Sequence, residues 1–134
     1  MSILSDTSVL LWAAGIDGQL ADRDSELLTD ADTPIFVSSV TAWEIAIKWA
    51  KGRLTLPETP DVFMEKVISA AGFSKLSIGF KDAYFVAQMH HARHKDPFDR
   101  LIVAQAMRNG LRLMTSDALL EDYGVEVIVC KTKI

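Results

Sequence analysis

The sequence predicts an α/β protein, a three-layer α/β/α sandwich with a parallel sheet wrapped by helices on both faces. Three observations carry the expectation. Short apolar runs alternate with stretches of helical periodicity from end to end. The first run reads as a buried strand passing straight into a helix with an Asp at the junction, the start of an α/β unit. Acidic residues fall where two of the runs stop, Asp6 after the first and Asp117 after the fourth.

Ile3-Leu4-Ser5 reads as the first strand, running through Asp6-Thr7-Ser8 into a helix over Val9–Ala14 that Gly15 stops. Gly15 to Gly18 is a turn, and Asp24 to Asp32 a short polar-faced helix with Leu27 and Leu28 inward. Pro34–Ser38 is the second strand. Thr41 is expected to cap a helix running through Lys51, with Trp43, Ile47 and Ala50 at helical spacing and Gly52 ending it. Leu54 to Thr59 is a loop, followed by a helix over Asp61–Ala71 with Phe63, Val67 and Ala70 on one stripe. Lys75–Ile78 is a third, weaker strand. A helix over Phe80–His91 should turn Phe80, Ala83, Tyr84 and Ala87 inward.

The next helix organises the rest. Asp96 is placed to cap it and Pro97 takes the first helical position, where a missing N–H costs nothing. An apolar run follows to Met107, ended by Asn109-Gly110, so this helix is buried on more than one side. Arg112–Thr115 is the fourth strand, Leu119–Tyr123 a helical turn and Val125–Val129 the fifth strand. With 134 residues and no repeat, low-complexity tract or linker, residues 1–134 read as one domain.

Composition narrows the function classes. Apolar residues make up 49% and charged residues 24%, the balance of a globular chain rather than a disordered one. The single cysteine, Cys130, excludes an internal disulfide and suits a cytoplasmic protein. The apolar N-terminal run is broken by Asp6 and has no basic residues before it, so neither a membrane span nor a signal peptide is expected. A net charge of -4 speaks against a protein that merely coats nucleic acid, though not against one that cuts it.

Ligands of open parallel sheets bind outside the carboxyl ends of the strands. Asp6 and Asp117 end strands there, and they meet if the first and fourth strands are neighbours. Asp99, in the first turn of the organising helix, is either a dipole-favoured carboxylate or a third member of that group. Glu44 is either half of a solvated pair with Lys48 or a fourth member. Carboxylates gathered in one hollow require a cation, and an all-oxygen set suits Mg²⁺ or Mn²⁺. Such an ion would activate a water against a phosphodiester. Thr7 and Thr115 flank the acids and can orient a carboxylate or that water; as turn and strand-end residues they can equally bond their own backbone. His90, His91, Arg93, His94, Lys95 and Arg100 form a basic run. Placed beside the acids, His94, Lys95 and Arg100, with Lys48, would hold flanking phosphates.

Four blocks then resemble the PIN-domain ribonucleases of the VapC toxin type. They are Leu4–Trp12, Val37–Lys48 with Gly52-Arg53-Leu54 behind it, His94–Ala106, and Thr115-Ser116-Asp117, in family order along nearly the whole chain. The resemblance implies a five-stranded sheet in the order 3-2-1-4-5. It also implies that Asp6, Glu44, Asp99 and Asp117 are the catalytic acids, with Asp6, Asp99 and Asp117 as metal ligands and Asp96 close by. The implied activity is Mg²⁺- or Mn²⁺-dependent endoribonuclease action on tRNA or ribosomal RNA. The chain would be a homodimeric toxin, inhibited by a cognate antitoxin protein. Two alternatives remain from the residues alone: a non-catalytic RNA- or partner-binding module on the same fold, and phosphoryl transfer through a nucleophilic Asp6.

Overall fold

The computed structural model describes residues 2–89 and 96–133. Five parallel strands lie in the order β3-β2-β1-β4-β5: β1 (Ile3–Ser5), β2 (Ile35–Ser38), β3 (Ser74–Leu76), β4 (Arg112–Thr115) and β5 (Val127–Val129). The central strand β1 pairs Leu4 with Phe36 on one side and with Leu113 on the other. The chain leaves β1 for one half of the sheet and later returns to β4 for the other. This makes the β1/β4 edge the switch point, and Asp6 and Asp117 lie just beyond it.

Among the described residues six α-helices enclose the sheet: α1 (Thr7–Ala13), α2 (Asp22–Thr29), α3 (Ser39–Ala50), α4 (Pro60–Ala71), α5 (Phe80–Phe85) and α6 (Pro97–Arg108). Short 3-10 turns cover Val86–Gln88 and Ala118–Tyr123. Strand residues alternate between the two cores, as the pleat requires. Leu4 and Leu113 join Ile102, Val103 and Ala106 of α6 on one face. Ile3 and Met114 join Val9 and Leu28 on the other, beside a cluster of Leu10, Val37, Ile45, Phe63 and Met64. Helix α3 straddles both, sending Val40 into the first core and Ile45 into the last. Among the described residues no helix is long and apolar enough to cross a membrane.

Several sequence expectations are corrected. Trp43 is 56% exposed and Ala50 lies on the surface, whereas Val40, Thr41, Glu44 and Ile45 form the buried face of α3. Ser38, not Thr41, caps this helix, accepting from Val40 N at 3.0 Å. Phe80 and Tyr84 are 81% and 67% exposed, and Ala83 and Ala87 are exposed with them. The buried residue of α5 is Asp82, which accepts from Gly79 N at 2.8 Å and from Arg108 Nη1 at 2.5 Å. Its two satisfied oxygens explain why a charged side chain displaces aromatics from that face. Ala70 is likewise outside, while Met64 joins Phe63 within. In α2 the buried pair is Asp24 and Leu28, with Leu27 half-buried, and Asp24 Oδ2 accepts from Lys131 N at 3.3 Å.

Candidate active site

Asp6 follows β1 directly and caps α1. Its Oδ1 accepts from Thr7 N at 2.7 Å, and its Oδ2 accepts from Thr115 Oγ1, also at 2.7 Å. Its backbone N–H donates to Met114 O at 2.9 Å, so Asp6 is tied to the end of β4 through both main chain and side chain. Burial pushes its carboxyl above the ordinary range; the Thr115 and Thr7 hydrogen bonds oppose that, and the charges of Glu44 and Asp117 reinforce it. Thr115 Oγ1 also accepts from Asp117 N at 3.1 Å, and Asp117 Oδ1 accepts from Leu119 N at 2.9 Å to start the following turn. One threonine hydroxyl thus sets the positions of two acids 111 residues apart in the chain.

Glu44 enters from α3. Only 7% exposed, it accepts from Thr7 Oγ1 at 2.8 Å through Oε1 and from Lys48 Nζ at 2.5 Å through Oε2. Thr7 Oγ1 in turn lies in a 3.1 Å hydrogen bond with Thr41 Oγ1. The Lys48 pair anticipated from the sequence is therefore present, with a buried Glu44 carboxylate and an exposed Lys48.

Helix α6 supplies the remaining acids. Asp96 caps it as expected, Oδ1 accepting from Phe98 N at 2.8 Å and Asp99 N at 3.3 Å. Asp99 is half-buried, and its carboxyl is pushed up to about 8, chiefly by burial and then by the charges of Asp6, Asp96, Glu44 and Asp117. Four other carboxylates thus raise the energy of its ionised form, although it sits where the helix dipole favours an anion.

Asp6, Thr7, Glu44, Lys48, Asp96, Asp99 and Asp117 line one hollow of about 350 Å³ at the carboxyl ends of β1 and β4. Ser8, Leu11, Trp12, Asp17 and Ser116 complete its wall. Sequence reasoning missed these five. Ser8, Leu11 and Trp12 were findable, since they recur at helical spacing after Asp6. Asp17 carries no such signal. Arg100 does not line the hollow; its guanidinium lies over the Tyr123 ring, 5.6 Å from the centroid, and reaches Tyr123 OH at 3.4 Å. His94 and Lys95, with His90, His91 and Arg93, lie outside the described residues.

The donor set tests the implied ion. Every acidic ligand candidate presents oxygen, and burial first, with the neighbouring carboxylates adding to it, pushes the Asp99 carboxyl up; a hard dication would offset the charge these acids carry when ionised. Among the described residues no three His, Cys, Asp or Glu side chains are drawn together into a ready-made ion cage. The residues fit a divalent ion in the chemistry of their oxygens and in sharing one hollow, but as placed no three of the described acids stand close enough together to hold one.

A parallel sheet in this order, with acids at its switch point, defines a class that the sequence also carries: the signature of the PIN domain matches residues 3–126. The chain belongs to the PIN-domain family, whose members are generally nucleases. No protein of curated function is detectably similar to it in sequence. Among solved structures it is similar to a chain of VapBC2 from Rickettsia felis bound to a DNA fragment from their promoter. The TM-score is 0.71 at 13% identity, with 98% of this chain and 100% of that chain covered. It is also similar to FitAcB from Neisseria gonorrhoeae, with TM-score 0.64, 22% identity and coverage of 94% and 96%. DNA-bound VapBC from Salmonella typhimurium gives TM-score 0.64, 17% identity and coverage of 96% and 98%.

Proposed function

We propose that this chain is a VapC-type toxin: a single-domain, divalent-metal-dependent endoribonuclease acting in the cytoplasm on tRNA or ribosomal RNA. The observation that carries the reading is the convergence of Asp6, Glu44, Asp96, Asp99 and Asp117 on one hollow, with the carboxyl of Asp99 held up to about 8 by burial and its neighbours. Asp6, Asp99 and Asp117 are the residues assigned to hold Mg²⁺ or Mn²⁺. Bound there, the ion would supply an activated water and neutralise charge at the phosphodiester.

This chain's own residues do the positioning. Thr115 and Thr7 N–H fix both oxygens of Asp6, and Thr7 Oγ1 fixes one oxygen of Glu44. Glu44 is the group assigned to take the proton of the attacking water. Lys48, bonded to Glu44, brings a cation into an otherwise acidic hollow, where it can meet a phosphate oxygen.

Two surface features support the partners. The apolar stripes Trp43/Ile47/Ala50 and Phe80/Tyr84 lie outside the cores they were expected to fill, which favours self-association into a homodimer. An apolar groove of about 570 Å³, lined by Ala13, Leu20, Leu28, Val67 and Phe73, is the surface we assign to a helix of the antitoxin. The test is cleavage of structured RNA with added Mg²⁺ or Mn²⁺, comparing wild type with Asp6→Asn and Asp99→Asn. Wild type should cut and both variants should lose the activity; equal activity in all three rejects the assignment. RNA binding that survives a chelator, without cleavage, would favour the non-catalytic module.

A further inference from the structure

The hollow is chemically lopsided. Lys48 is the one cation among the described residues that line it, and it stands with Glu44 on α3. Another part of the wall comes from α1 and the turn after it, where Leu11, Trp12 and Asp17 contribute an apolar edge, an indole and a carboxylate. A phosphate would be repelled by Asp17, whereas a nucleobase brings a flat face for the indole and N–H groups for the carboxylate.

That wall is built rather than incidental. Gly18 has φ +152, and a Cβ there would lie 3.0 Å from Thr132 Cγ2 and 3.1 Å from both Trp12 Cδ1 and Nε1. Only glycine lets the indole and the C-terminal segment close on each other at that point. The segment is laced to the turn by Lys133 N donating to Gln19 O at 2.7 Å and Ala21 N donating to Lys131 O at 3.1 Å. Trp12 also packs on the core of Ile3, Val9 and Leu20. Asp17 holds a left-handed backbone at φ +58, a conformation that Asp and Asn tolerate better than other side chains.

We propose that Leu11, Trp12 and Asp17 form a nucleobase subsite beside the acids, stacking a base on the Trp12 indole and selecting guanine through Asp17. This rests on the nuclease reading above. Guanine alone among the four RNA bases presents two adjacent donors, N1–H and the N2 amino group, on its pairing edge, and a carboxylate accepts both. Adenine and cytosine put an acceptor beside their donor amino group, and uracil flanks its single donor with two carbonyls, so each would set an acceptor against Asp17.

The experiment is cleavage of a random-sequence RNA pool by the full chain in Mn²⁺, with cut sites read by sequencing. Wild type should cut beside guanine. Asp17→Asn keeps the turn but presents one donor and one acceptor, which complements the donor–acceptor edges of adenine, cytosine and uracil, so the preference for guanine over the other bases should fall by about tenfold. Trp12→Ala should raise KM about tenfold with a smaller change in kcat, and Trp12→Phe, which keeps a stacking face, should restore most of it. Cleavage by wild type with no base preference, or with one that Asp17→Asn leaves unchanged, overturns the subsite while the nuclease reading stands. If Trp12→Ala fails to fold, the preferences of Asp17→Asn and the KM of Trp12→Phe still decide. Absence of any cleavage by folded wild type overturns both.

Discussion

Replacing Asp99 by Asn should make the ion-free protein more stable at pH 8, although it removes a residue assigned to the active site. In the folded chain the Asp99 carboxyl is raised from 3.8 to about 8. Below about pH 4 it is protonated in both folded and unfolded chains and costs nothing. As pH rises from 4 to 8 the unfolded chain releases this proton while the folded chain retains it, so stability falls; above 8 the loss levels off. At about 1.4 kcal/mol per pH unit, the ceiling is about 6 kcal/mol. Asp99 is half-buried in the wall of the hollow, and solvent screening reduces the expected effect to about 2 kcal/mol. Asparagine has no charge to confine and should show a flatter profile. The assay is urea unfolding in EDTA from pH 5 to pH 9. The two proteins should be close at pH 5 and separate by about 2 kcal/mol in favour of Asp99→Asn at pH 8. Parallel profiles, or a variant less stable than wild type at pH 8, would refute the burial of the Asp99 carboxyl among other acids on which the site is built.

Thr115→Val keeps the strand but removes the hydroxyl that bonds Asp6 and Asp117; Mn²⁺ affinity measured by calorimetry should fall about tenfold to a hundredfold. Leu113→Ala opens a cavity in the core between the sheet and α6 and should cost about 2–5 kcal/mol in a urea titration, with residual activity tracking the folded fraction. The double substitution Trp43→Ser/Tyr84→Ser touches exposed positions only. Monomer stability should fall by about 1–2 kcal/mol, since Trp43 meets the Phe98 ring edge-on at 4.9 Å, while sedimentation should show weaker self-association. Unchanged association would remove these stripes from the dimer surface.

How far the sequence could be read depends on what each pattern can mean physically. β1 and β4 were legible because each carries adjacent apolar residues, Ile3-Leu4 and Leu113-Met114, as a strand buried on both faces requires, and Asp96 with Pro97 marked the start of α6 because caps have a chemistry of their own. The order of the strands was not in the periodicity; it came with the family resemblance and agrees with the observed pairing of β1 to both β2 and β4. An apolar stripe at helical spacing looks the same whether a sheet or another chain covers it, so Trp43, Ile47 and Ala50 could not be told from core residues. Glu44 and Lys48 show a second ambiguity. Their i,i+4 spacing fits a solvated pair, and the sequence had no way to show that Thr7, 37 residues earlier, would reach Glu44 from the other side. Phe80 and Tyr84 failed for a related reason, because the buried position of α5 belongs to an aspartate whose partner, Arg108, lies on another helix. Asp17 was beyond reach, since only the fold carries that turn to the hollow.

The site works as proposed only if acids from the ends of β1 and β4 and from α6 share one ion. Crystals of the wild-type chain soaked in Mn²⁺ and measured at the manganese edge test this directly. An anomalous peak is expected within coordination distance of the Asp6, Asp99 and Asp117 carboxylate oxygens, lost in Asp99→Asn; a fully soaked crystal with no peak in the hollow, or with manganese bound only elsewhere, would contradict the shared-ion site.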